Sequence, residues 1–448
     1  MSFGLRARLS IMMFLQYYVW GIWLPMLTQF LGPNGVSLSK PQIGWVFTVY
    51  GFGAILGPFV LGQLADRYFA TERVLAFAHL VGGCLLIATA SQTAFWPIFL
   101  LMFAYCNLFM PTMSLTNSIT FRNLDEGHRS DFAGIRLWGT IGWIVGGLSF
   151  GAYLDSERLD FLKPFFEVTG HAGAFPGFLD RWHSISRPIL SPLYEAVGQP
   201  AFRDCLRISG VVSLFYGLFC FLLPHTPPTP AKATDPVGKR SAILESLELM
   251  RNRSFAVLMT ISGLIGIMLA FYFECENPFL VSIGTPEKQT GMFMTIGQIA
   301  EIVVMLLVPL AIRRLGVKWT MILGASAWAL RFGLSMIGHP WWLMIASIGL
   351  HGFCFGFFFV PAQMYVDRLA GDDFKASAQS FFVFVCYGIG AILGSVLAGY
   401  IRHAAGGNWS MIWGGPFVLT ILCIAAFALL FREPADRKPD AVAGPLAA

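Results

Sequence analysis

Apolar residues run along this chain in blocks of about 20, the length that carries an α-helix across the hydrocarbon core of a bilayer. Polar residues gather in the short gaps between the blocks. The pattern predicts twelve membrane spans, at 9–31, 42–64, 74–91, 95–119, 132–153, 208–224, 254–275, 291–312, 319–337, 341–363, 377–401 and 411–431. Two gaps are longer. Residues 225–253 are Pro-rich, then charged and amphipathic, and read as a linker ending in a surface helix. They part six spans from six and predict one bundle over 1–224 and a second over 254–448. The other long gap, 154–207, mixes aromatics, prolines and charges. Short helices capping a mouth and a floppy loop are both open readings for it.

An internal repeat sharpens the fold class. YGFGAILGPFVLG at 50–62 and YGIGAILGSVLAG at 387–399 agree at eight of thirteen positions, and WGTIGWIVGG at 138–147 has a related glycine spacing. These segments fall on spans 2, 11 and 5, each the middle helix of a three-helix unit. An all-α membrane protein of two six-helix bundles, built from 3+3 inverted repeats, would show this pattern. Glycine at such spacing lets helices approach closely. The G-x-G steps lie inside spans with no strand before them, so they are not dinucleotide loops.

Composition agrees, with 56% hydrophobic and 12% charged residues against about 25% charged in soluble domains. The net charge of +5 comes from basic residues scattered over short loops, not from a nucleic-acid-binding stripe. Nineteen Lys and Arg fall on the side of both chain ends, and Lys40, Lys288 and Arg402 on the other, apart from six in the 154–207 gap. Both termini are therefore expected in the cytoplasm, with the gap outside. Arg6 and Arg8 precede a stretch too long and aromatic for a signal peptide. The eight cysteines lie mostly alone in apolar runs without a C-x-x-C pair, and read as small buried hydrophobes. No Walker loop, zinc spacing, hydrolase elbow or catalytic carboxylate pair occurs. Neither enzyme nor ATP-driven pump is expected, and no cofactor or metal.

Ionisable residues inside the spans are few: His79, Arg136, Glu274, Glu276, Glu301, Arg331 and His351. A charge at bilayer depth costs about 2.5–3.5 kcal/mol on insertion scales, so each needs a partner or a task. Glu301, with Gln298 one turn earlier in TIGQIAEIVVMLLVPL (295–310), has no basic residue within four positions. It is the candidate to face a translocation path and to take and release a proton. Arg136, early in span 5 and one turn from Thr140, either snorkels or faces the same path. Arg331 reads as structural, and His79 as core or interfacial. His351 reads equally as packed or cavity-facing, and Glu274 and Glu276 as exposed near the interface. Gln16, Tyr17, Trp20 and Phe355 are candidates to line the path, where an aromatic face stacks a flat ring.

The loop GQLADRYFATERVL (62–75) resembles the signature loop between spans 2 and 3 of the major facilitator superfamily. The likeness makes Asp66, Arg67 and Arg73 candidate gating residues. MMFLQYYVWGIWLPML (12–27), YCNLFMPTMSLTNSITFRNL (105–124), FAGIRLWGTIGWI (132–144), TIGQIAEIVVM (295–305), WALRFGL (328–334) and KASAQ (375–379) resemble the nucleoside:proton symporter family of that superfamily. The resemblance implies the major facilitator fold and a nucleoside carried with a proton by alternating access. It implies substrate contacts at Arg136, Thr140, Gln298, Glu301, His351 and Phe355, with Glu301 coupling the proton. It also implies a monomer in the bacterial inner membrane, its partners being a small-molecule nucleoside, protons and the bilayer. Polar family positions on span 7 are Ala270 and Phe273 here, a family Tyr on span 10 is His351, and a nearby Asp is Gly356. These departures bear on the cargo more than on transport. Arg136, Glu301, Arg331 and His351 together also resemble lactose-type proton symporters, so a sugar or oligosaccharide is the alternative cargo. A non-transporting receptor or sensor is the third reading.

Overall fold

A computed structural model describes residues 1–58, 61, 64–65, 68–124, 128, 131–155, 162–163, 166, 170–228 and 248–433. The described secondary structure is helical throughout. Ten helical stretches are long and apolar enough to cross a membrane, and one of them, Glu287–Ile337, runs to 51 residues. That one is two spans, because Gly316 in its middle has φ 77°, ψ 171° and breaks the helix. Only glycine takes such a conformation cheaply. Lys40–Gly57 supplies the remaining span, for twelve in all among the described residues.

In chain order the spans are Phe3–Leu31 (1), Lys40–Gly57 (2), Thr71–Ala90 (3), Phe95–Arg122 (4), Asp131–Leu154 (5), Asp204–Leu222 (6) and Arg253–Ser282 (7). The two arms of Thr290–Ile337 are spans 8 and 9. Trp341–Leu369 (10), Ala378–Ala404 (11) and Trp409–Leu430 (12) complete the set. Polar caps set several starts. Ser39 and Gln42 form a capping box on span 2, and Asn252 and Asn408 cap spans 7 and 12. The loop expected between spans 10 and 11 is instead helical backbone through Val360–Val383. The 154–207 gap contains a 23-residue helix, Phe175–Val197, so that part of it is helical rather than a floppy loop. The surface helix expected at the end of the 225–253 linker lies almost wholly outside the described residues.

Two large apolar cores result, one drawn from residues 9–223 and the other from 255–431. Trp23, Tyr105, Ile135 and Tyr216 lie in the first, and Tyr272, Trp328, Phe358 and Trp413 in the second. All eight cysteines are free, and seven are buried.

The halves meet along two seams. Span 5 packs on span 8, where a Cβ at Gly147 would lie 2.8 Å from Thr295. Span 2 packs on span 11, and here the repeated segments face one another. A Cβ on Gly51 would lie 2.7 Å from both the Gly388 carbonyl and the Ile392 side chain, and a Cβ on Gly388 would meet Ile55 at 2.5 Å. Gly51 and Gly388 hold the same place in the repeat, as do Ile55 and Ile392, so the contact is reciprocal about a local two-fold axis. Toward the end bearing the 32–39 turn and the insertion, six hydrogen bonds between described residues join the halves. Thr28 donates to the Glu274 carbonyl (3.4 Å), Gln29 to Thr290 (3.5 Å) and Asn34 to Glu287 (2.5 Å). Lys40 donates to the Arg402 carbonyl (3.1 Å), Gln289 to Asp155 (3.1 Å), and Asn277 to the Pro25 carbonyl. This insertion end is therefore shut.

The glycine seam generates a prediction. Gly51→Val places branched carbons where the Gly388 backbone now sits, and overpacking of this kind costs about 1–3 kcal/mol. Closure at the insertion end should weaken by about 5- to 150-fold. Distances between spin labels across that end should lengthen in Gly51→Val and stay unchanged in a control substitution at the lipid-facing Leu56.

Candidate functional site

Glycines bring the charged residues of spans 5 and 8 to the interface. On span 5, Gly139, Gly142 and Gly146 face Tyr17, Phe14 and Tyr18 of span 1 so closely that a Cβ at Gly142 would collide with the Phe14 carbonyl. That approach lays the Arg136 guanidinium 4.2 Å over the Tyr17 ring, a cation–π contact strengthened by burial. Thr140 follows one turn later, half-buried. On span 8, Gly352 of span 10 sits against the backbone of Ala300 and Glu301, where a Cβ would lie 2.8 Å from the Glu301 nitrogen. With span 10 pressed on its backbone, the Glu301 carboxylate interacts across the interface with Arg136. It makes no ion pair within 4 Å among the described residues, and stays half-buried.

Three tyrosines complete the surroundings. Tyr17 lies near both Arg136 and Glu301, Tyr50 near Tyr17, and Tyr387 near Tyr50 and Glu301. First-half groups (Tyr17, Tyr50, Arg136) and second-half groups (Glu301, Tyr387) thus surround one point on the interface. On the insertion side of Tyr50 and Tyr387 lies a cavity of about 30 Å³, walled largely by apolar groups that include Leu24, Phe47, Leu269, Ala270 and Phe273. It holds a water or two and no larger solute.

Gln298 is buried beside this point, and its Oε1 has no hydrogen-bond partner. An orphan buried acceptor costs about 1–3 kcal/mol, which a donor from a bound solute would recover. His351 lies in the interior of the second half, stacked on Tyr272 at 4.9 Å with its edge to Trp328 at 6.1 Å, and its Nδ1 is without a partner. Phe355 stands 6.4 Å from His351 and opens a π-helical turn, Phe355–Phe359. A second π-helical turn, Phe384–Ile389, carries Tyr387, whose ring is 5.7 Å from Phe359. Such turns insert one extra residue and re-aim side chains, and sequence periodicity did not reveal them.

Several expectations are corrected. Glu274 and Glu276 are not at an exposed interface but 0% and 2% exposed. Glu276 pairs with Arg331 at 2.9 Å and Glu274 with Arg402 at 3.4 Å. Arg331 also lies 4.2 Å over the Tyr272 ring, inside the second half. Gln16 does not line a path. It is buried in the first half, donating to Thr112 at 2.7 Å and bonded to His79 at 3.0 Å, and His79 in turn meets Ser213. His79 is therefore core. Trp20 stacks on Tyr50 at 5.9 Å. Asp66 and Arg67 lie outside the described residues, and Arg73 is exposed on the first turn of span 3. Tyr50 and Tyr387 were missed, although each opens its copy of the internal repeat.

The family model described as "Nucleoside H+ symporter" matches residues 3–162 and 195–436. "Putative nucleoside transporter YegT" of Escherichia coli K12 is 33% identical over 95% of this chain and 94% of its own length. Xanthosine permease of the same organism is 27% identical over 92% of each chain. The crystal structure of nucleoside transporter NupG superposes with a TM-score of 0.75 at 25% identity, covering 96% of this chain and all of that one.

The buried pair on spans 7 and 9 is testable apart from transport. Removing one partner of a buried pair costs about 3–5 kcal/mol, whereas replacing both with apolar groups of like volume is often neutral. Glu276→Ala should lower the unfolding temperature in detergent sharply, and Glu276→Leu/Arg331→Met should recover most of the loss.

Proposed function

The chain belongs to the nucleoside H+ symporter family, and from that premise we propose that it carries a nucleoside across the membrane together with a proton, by alternating access. The observation that carries this reading is Glu301 facing Arg136 across the two halves, with Tyr17 beside both, while the insertion end is shut. Arg136 is a five-donor cation and serves two acceptors in turn. When Glu301 is ionised it holds Arg136. When Glu301 takes a proton, Arg136 is released to donate to the hydroxyl or carbonyl oxygens of the nucleoside. Substrate and proton therefore favour one another's binding, and by linkage the favour is mutual. Loss of the proton on the far side lets Glu301 reclaim Arg136 and expel the cargo.

Thr140 and Gln298 supply further hydrogen bonds, Gln298 through its orphan oxygen. Phe355 and His351 form the aromatic wall behind Glu301, with His351 held in place by Tyr272. The Lys and Arg distribution orients the linker end toward the cytoplasm, so the closed insertion end faces outward and the site opens inward. A bacterial inner membrane and a monomer fit the single-chain site, and Arg73 remains a gating candidate with Asp66 and Arg67. The sugar-carrier reading needs Arg331 in the site. Arg331 is instead 1% exposed and bound to Glu276.

Proteoliposome uptake tests the proposal. One pH unit is worth about 1.4 kcal/mol, or tenfold in concentration. Vesicles alkaline inside should accumulate labelled nucleoside about tenfold per unit for one proton, and a protonophore should abolish the gain. Glu301→Gln should lose accumulation and keep exchange at equal pH. Accumulation by Glu301→Gln with unchanged pH dependence would remove Glu301 from the proton path, and absence of any nucleoside uptake by the native chain would leave the receptor reading.

A further inference from the structure

The repeated segments do more than bring the halves together. Each begins with a tyrosine, Tyr50 on span 2 and Tyr387 on span 11, immediately before the glycine that makes the reciprocal contact. Gly51 meets Ile392 and Gly388 meets Ile55, so the local two-fold axis passes between the two tyrosines. Both border the same cavity, close to one another. Each ring is backed by another aromatic from its own half: Trp20 lies behind Tyr50 at 5.9 Å and 14°, Phe359 behind Tyr387 at 5.7 Å and 31°. The span 7 wall opposite offers Gly266, Leu269, Ala270 and Phe273, surface that stacks or packs and forms no side-chain hydrogen bonds.

Position on the axis matters for a carrier. When one half rocks against the other, groups far from the axis gain and lose the cargo, while groups on it keep their distance from a solute held there. The charged groups lie on the linker side of the tyrosines and the apolar cavity on the insertion side. A solute reaching Arg136 and Glu301 from the linker end abuts the tyrosine pair.

We propose that Tyr50 and Tyr387 are specificity-determining residues, an axial aromatic pair that grips the flat base of the nucleoside in both access states, while Arg136, Gln298 and Glu301 take its polar edge. The proposal rests on the nucleoside reading above. It assigns the base to stacking rather than to span 7 hydrogen bonds, so recognition should tolerate different bases and reject solutes that lack a planar ring.

Exchange of labelled uridine and labelled adenosine in proteoliposomes at equal pH on both sides tests this without involving proton coupling. Stacking on one aromatic ring is worth tenfold or so in binding. Tyr50→Leu and Tyr387→Leu should each raise the half-saturation concentration about tenfold for both nucleosides with the maximal exchange rate within about twofold, and Tyr→Phe at either site should restore native values because the ring is retained. Free ribose should not compete. A half-saturation concentration unchanged by Leu, a Phe variant as impaired as Leu, or competition by ribose would overturn the proposal. Should the Leu variants fail to fold, saturation-transfer NMR on the native protein decides. Ring-deuterated tyrosine should reduce transfer to the base protons and leave the ribose protons little changed, and equal loss at both would overturn it. Absence of exchange by the native chain would instead strike the nucleoside reading itself.

Discussion

One interaction organises this molecule: a carboxylate on one six-helix half answers to a guanidinium on the other, at a depth where water is scarce. In bulk water such an attraction is worth little. In a medium of low polarity it is several times larger, and in the proposed mechanism a single proton on Glu301 switches it. Tyr17, with the guanidinium over its ring, fixes where Arg136 points in this state.

The remaining structure makes that switch consequential. Glycine faces on spans 2, 5 and 11 let backbones touch, so the seams are rigid steric contacts rather than soft side-chain layers. Packed interfaces of this kind hold discrete arrangements and do not deform continuously. The insertion end is closed by hydrogen bonds to backbone carbonyls as well as side chains, which can be exchanged for water at modest net cost. Span 7, which supplies two of the groups at that closure, is anchored within its own half by the Glu276–Arg331 and Glu274–Arg402 pairs. It therefore moves with its half.

Much of this was legible in the chain. Span lengths follow from bilayer thickness, and the inverted repeat appears as an eight-of-thirteen match. Glu301 stands out because an apolar helix tolerates a carboxylate only for a reason. The failures share a cause. Glu274 and Glu276 looked like interface residues because their partners are 128 and 55 positions away, beyond any i±4 pattern. Gln16 looked available because Thr112 and His79 are distant in sequence. The π-helical turns that aim Phe355 and Tyr387 leave no mark on hydrophobic periodicity. Tyr50 and Tyr387 were visible as part of the repeat, but a repeat signals packing first, and only the shared cavity joined them to the site.

The central claim is that nucleoside binding and protonation of Glu301 are one event. Difference infrared spectroscopy on the purified protein at neutral pH observes it directly, through the carbonyl stretch of a protonated carboxyl. The account predicts that adding nucleoside makes this band grow, and that the change vanishes in Glu301→Gln. A band that does not respond to nucleoside, or that responds equally in Glu301→Gln, would contradict it.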